Sequence, residues 1–222
     1  MALTTAKNFL LVTEHIGQKP TLRTRFTTQA YFVLATLLDL LDQEILQVEG
    51  DRLIVADEAR LDQQPAYLNS FRIRLTSDIA QDDRLKTVLK LVTSWDIVNA
   101  IYDGIGAETL AEQTTERVLF QNNLKPHVIY EPTATSKQEV LTTLEDQIQA
   151  GKLTRAGSNL FLILSQQDAL KWLFDEAEGA TLSEQFAAAT AGDSYVQTVK
   201  QVTVAAAEII QMKKFEMDGW LS

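Results

Sequence analysis

Cysteine is missing from the 222-residue chain. Disulfides and thiolate zinc sites are therefore excluded, and a reducing compartment fits. Histidine occurs only twice, as His15 and His127, each outside any HExxH or Cys/His spacing. Both read as surface or hydrogen-bonded histidines. Four prolines and nine glycines leave little room for long flexible linkers. No apolar run approaches the ~20 residues of a membrane span. The apolar run at 9–12 is too short, and too soon interrupted, for a signal peptide. A cytoplasmic protein without a transmembrane segment is the default expectation. Nucleophile-elbow and P-loop motifs are absent as well.

What is present reads as helix. Apolar residues make up 45% of the chain and charged residues 23%, the balance of an ordinary globular protein. The 3.6-residue apolar period predicts helices over 3–16, from a Thr27 or Thr28 cap to Gln43, from Pro65 to Leu75, and over 84–93. It predicts further helices from a Ser94 cap to near Gly104, over 107–122, from Ser136 to Gly151, over 158–174, from a Thr181–Glu184 capping box, and over 194–214. Two β-rich runs flank Glu49-Gly50-Asp51 and predict a hairpin over 45–55. Val128-Ile129-Tyr130, between Pro126 and Pro132, predicts a short strand. The expected fold is all-α (mainly helical), a single globular domain over 1–222 with one or two small β-hairpins. Leu37, Leu41, Leu160, Leu164 and Leu173 are its expected core, with Trp95 and Trp172 packed beside them.

Charge narrows the partners. A formal charge of −10 disfavours nucleic acid and anionic lipid unless a local basic patch overrides it. One such patch exists: Lys19, Arg23 and Arg25, followed by Phe26, in the predicted loop between the first two helices. Guanidinium groups beside an aromatic ring can hold a phosphate or carboxylate. Gly104-Ile105-Gly106 lacks a preceding strand and reads as a helix C-cap and the next N-cap. The acidic pairs Asp57-Glu58, Asp82-Asp83 and Asp175-Glu176 read as solvated loop charge. Nothing calls for a metal or cofactor. Trp220, near the C-terminus, is either docked on the body or a contact for a partner.

The order of these segments resembles the Golgi phosphoprotein 3 family of phosphoinositide-binding proteins, its bacterial relatives included. The opening 3–11, LTTAKNFLL, is similar to the family's LTLxEExLLL start. Residues 33–55 are similar to its LxELALRGRIxLxxxxxVV block, and 62–69, DQQPAYLN, stand where it has PTGDPLLDEAL. Residues 137–174 are similar to its last helix pair, with LFLILSQQDALKWLF at 160–174 matching its buried LxALLxLxxAxxxLxxLF helix.

The resemblance implies an all-helical, non-enzymatic protein at the cytoplasmic face of a membrane, binding an anionic headgroup or a protein partner. The family's lipid site takes an aromatic and arginines from the first loop and from a later helix. In the loop, Phe26 stands for the aromatic and Arg23 or Arg25 for the arginine. The later helix corresponds to 110–120, where Glu112 and Thr114 or Thr115 replace arginines and Arg117 alone remains. The family's RGR becomes Asp42-Gln43-Glu44. Acids in place of cations repel a phosphoinositide headgroup, so the implied binding is weak. A rival expectation is a winged-helix regulatory module, with a helix and hairpin wing over 28–55 and a repeat of that plan over 137–163.

Overall fold

The computed structural model describes residues 3–14, 22–121 and 126–220, and for 22–26, 120–121, 126–127 and 218–220 the backbone alone. Its helices, in chain order, begin with α1 (Thr4–Thr13) and α2 (Leu22–Asp42). The hairpin β1 (Leu46–Glu49) and β2 (Arg52–Val55) follows, then α3 (Glu58–Asp62), α4 (Asn69–Gln81), α5 (Leu85–Val88) and α6 (Trp95–Ala111). A second hairpin, β3 (Thr115–Gln121) and β4 (Pro126–Pro132), leads to α7 (Ala134–Gln149), α8 (Arg155–Gln166), α9 (Leu170–Leu173), α10 (Glu176–Ala189) and α11 (Ser194–Trp220). Helix dominates, and the strands form two separate antiparallel pairs.

The core is organised around α2, in which every residue from 29 to 41 is buried. A helix that is apolar on all sides must be surrounded. Here α1, α6, α8 and α11 pack around it. Leu37, Leu41, Leu160 and Leu164 are buried as predicted, and Leu173 is half-buried against the same core. Aromatic rings link the layers edge to face. Phe9 meets Phe32 at 4.9 Å, Phe32 meets Tyr102 at 5.5 Å, and Tyr102 meets Tyr130 at 5.6 Å. This chain of rings runs from α1 through α2 and α6 to β4.

Several boundaries differ from expectation, each for a local reason. Gly104 and Gly106 lie inside α6 and do not end a helix. A Cβ on Gly104 would come within 2.2 Å of the Tyr67 ring, and one on Gly106 within 2.1 Å of the Tyr130 ring. Ring contact, and not helix termination, requires glycine there. The predicted helix over 107–122 ends at Ala111, where Gln113 takes a positive φ of 61°, and the chain turns into β3. Likewise the predicted helix over 158–174 breaks at Asp168, φ 55°, into α8 and α9. The break leaves Trp172 79% exposed, and Trp95, the first residue of α6, is also exposed. Neither tryptophan packs in the core.

Caps lie elsewhere too. Thr133, not Ser136, caps α7 by accepting the Ser136 N–H, and Asp175 caps α10, so Thr181–Glu184 falls inside that helix. Asp57 caps α3. Two of the three acidic pairs are thus helix starts. Residues 137–163 hold α7 and α8 and no hairpin. Residues 29–41 of α2 are buried and present no face to a DNA groove.

Candidate binding groove

The residues singled out from the sequence do not assemble into a site among the described residues. Lys19 lies outside them. Arg23, Arg25 and Phe26 are in the first turns of α2 and not in a loop, and their side chains are also outside the description. Arg117 sits on β3, exposed and paired across the ladder with Tyr130, where a helix had been expected. The helix that precedes this hairpin, α6, contains no arginine or lysine. Glu112 is engaged elsewhere: with Glu108 it holds the Lys7 ammonium, at 2.5 and 3.0 Å. Burial opposes the charge on Lys7, but the two carboxylates outweigh it and raise its pKa. His15 lies outside the described residues, as does the His127 side chain on β4. The Trp220 side chain, at the end of α11, is outside them too.

A different feature is built between α5 and α11. The two-residue turn of the first hairpin has Gly50 at φ 66°, the first central position that a type II′ turn reserves for glycine. That turn is fastened to the start of α5. The Leu85 N–H donates to the Asp51 carbonyl at 2.6 Å and the Leu53 N–H to the Asp83 carbonyl at 2.8 Å. Arg52 pairs with Asp83 at 2.5 Å. From the other side, Gln201 of α11 donates its side-chain N–H to the Gly50 carbonyl at 3.0 Å. The result is a groove of about 740 Å³, within the ~300–1,000 Å³ typical of small-molecule sites. Leu85, Val204 and Ala205 form its apolar surface.

Charged groups surround that surface. Helical spacing sets Lys200, Val204 and Glu208 one turn apart on the same face of α11. Glu208 pairs across the groove with Lys86 of α5 at 2.8 Å. Arg84 is held by Asp82, which also accepts the Thr87 hydroxyl at 2.9 Å. The Arg84 guanidinium drives the Asp82 pKa well below the usual carboxylate range. Such a carboxylate is a poor base, so the Thr87 hydroxyl is not activated by it. Lys200 is exposed and has no carboxylate partner among the described residues.

A second polar feature lies in the core. Asp39 of α2 is 2% exposed. It accepts the Thr5 N–H at 2.8 Å and the Ala6 N–H at 3.0 Å. Helix α1 has no side-chain cap of its own, since Leu3 occupies that position, so Asp39 caps it from another helix. Burial pushes the Asp39 pKa up to about 7, against the pull of those hydrogen bonds. Asn159 of α8 continues the junction. It donates to the Leu38 carbonyl at 3.3 Å and accepts the Tyr195 hydroxyl of α11 at 3.0 Å. These contacts tie α1, α2, α8 and α11 together, and Asp39 does not line the groove between α5 and α11.

Among the described residues, no cluster of three or more acidic or histidine side chains could hold a metal ion. No helix there is long and apolar enough to cross a membrane. Compared with known proteins, the chain matches no family model and no curated protein. The groove residues Arg84, Lys86, Lys200 and Glu208 carry no motif. Their one sequence signal is the polar face of α11 at 197, 200, 201 and 208, opposite its apolar positions 196, 199, 202 and 206.

Proposed function

We propose that this is a non-enzymatic binding protein whose groove between α5 and α11 takes a small ligand bearing one anionic group. The observation that carries the reading is Lys200: a cation without a carboxylate partner among the described residues, one helical turn from the apolar residues Val204 and Ala205. A charge-assisted hydrogen bond to such a cation is worth ~1.5–3 kcal/mol. The neighbouring cations are less available, because Asp82 holds Arg84 and Glu208 holds Lys86. The reading keeps the anion chemistry and the non-enzymatic role that the family resemblance implies. It moves the site away from Arg23, Arg25 and Arg117.

Calorimetric titration of dodecanoate at physiological salt tests it. The native protein is expected to bind at one site. Lys200→Glu should weaken binding at least tenfold, while Arg23→Glu/Arg25→Glu leaves it unchanged. Loss of binding in the arginine pair, with Lys200→Glu unaffected, would return the site to the start of α2. No binding by the native protein would end the reading.

A further inference from the structure

The groove is closed differently at its two ends, and that asymmetry orients a ligand. At one end is the hairpin turn, fastened by Gln201 to the Gly50 carbonyl and by Leu85 to the Asp51 carbonyl. Lys200 and Arg84 stand at this end. Asp82 holds Arg84 here and raises its pKa, with smaller contributions from Asp51 and Asp83. Lys200 is therefore the cation left for a ligand's anionic group. At the other end the Lys86–Glu208 pair joins the two walls. Gln201 and Glu208 are seven residues apart on α11, which at helical rise is roughly 10 Å, the reach of about eight extended carbon–carbon bonds. Between them the surface is Leu85, Val204 and Ala205.

Building on the reading of the groove as an anion site, we infer that its ligand is a single-chain amphiphilic monoanion. Its head pairs with Lys200, its alkyl chain lies along Leu85, Val204 and Ala205, and the Lys86–Glu208 pair is a strap that limits the chain's length. Three observations support this. The apolar surface is small, three side chains of which Val204 is the exposed one, a contact area suited to one alkyl chain. Among the groove cations, Lys200 alone is without an acid, which suits one negative charge. The strap has both side chains more than half exposed, at 72% and 55%, and exposed ion pairs hold weakly. Its 2.8 Å contact spans from α5 to α11, so removing either side chain opens that end of the groove.

The test is a titration series of straight-chain carboxylates from butanoate to tetradecanoate, against the native protein, Glu208→Ala and Lys86→Ala. In the native protein affinity should rise about fourfold per methylene and level off near the length that reaches the strap. In either strap variant the rise should continue through the longer chains. The same plateau in all three proteins would overturn the strap while leaving the anion site in place. Absence of binding to every chain length would instead remove the anion site itself. Vesicles of phosphatidylcholine with phosphatidylglycerol form the last arm. Sedimentation with them, in place of binding to free carboxylates, would overturn the single-chain ligand in favour of a bilayer lipid.

Discussion

Asp39 in the core and Asp82 at the groove rim are both carboxylates that accept several hydrogen bonds, yet their acidities move in opposite directions. Asp39 accepts two backbone N–H groups and is buried among α1, α2 and α8. Asp82 accepts from Arg84 and Thr87 close to solvent. Burial raises the first to about 7, and a guanidinium lowers the second well below the ordinary carboxylate range. The number of hydrogen bonds therefore does not set the sign. What decides is whether a full positive charge or an apolar interior surrounds the group. The two regions differ accordingly. The junction at Asp39 is organised for holding helices, and the rim at Asp82 for presenting charge.

The largest expected effect is in the core. Asp39→Ala leaves the Thr5 and Ala6 N–H groups buried without acceptors, at ~1–3 kcal/mol each. A loss of about 2–6 kcal/mol in urea unfolding at pH 6 is expected. A loss under ~1 kcal/mol would mean that water reaches the start of α1, and the contrast between the regions would collapse.

Next comes pH. A folded-state pKa of about 7, above the unfolded ~3.9, means the native state binds the Asp39 proton more tightly. Its contribution is complete below pH ~4 and is lost as pH rises toward 7. Asp39→Asn does not titrate, so the stability gap between native protein and variant should narrow from pH 4.5 to pH 7.5. A tenfold difference in proton affinity between the folded and unfolded chains is worth ~1.4 kcal/mol, so the narrowing is expected to be of order a few kcal/mol. A gap that stays constant or widens would show that Asp39 is ionised throughout, with an ordinary or lowered pKa.

Much of this frame was legible in the sequence. The apolar spacing of Leu37, Leu41, Leu160 and Leu164 placed them in the core, and Gly50 between β-rich runs marked the hairpin turn. Two errors came from reading local signals without tertiary contacts. The glycines of α6 looked like punctuation because the rings of Tyr67 and Tyr130 that require them are distant in sequence. Residues 115–121 looked helical because only their pairing with 126–132, itself read as a short strand at 128–130, makes them a strand. The Asp39 junction was invisible for a related reason. An acid inside an apolar helix gives no hint of whose N–H groups it accepts. The groove was illegible because its walls are brought together by the packing of α11 on α5, and mixed charges at exposed positions carry no period of their own.

The smallest effect is predicted at the rim, and it should have the opposite pH sign. Asp82 has a lowered pKa because Arg84 holds its charged form, with Thr87 assisting. A carboxylate of that kind adds its stability above the unfolded pKa of ~3.9 and loses it as pH falls through the folded value. Asp82→Asn should therefore melt close to the native protein between pH 5 and 8, since surface ion pairs contribute little and are screened by salt. Whatever small difference exists should shrink below pH ~4, where the unfolded chain takes up a proton that the native carboxylate still resists. Melting curves from pH 2.5 to 7.5 at low and high salt measure both features. A difference that grows toward acid would contradict the charge pairing with Arg84. One that changes between pH 4 and 7 would mean that Asp82 titrates in the range assigned to Asp39, and the contrast drawn between rim and core would fail.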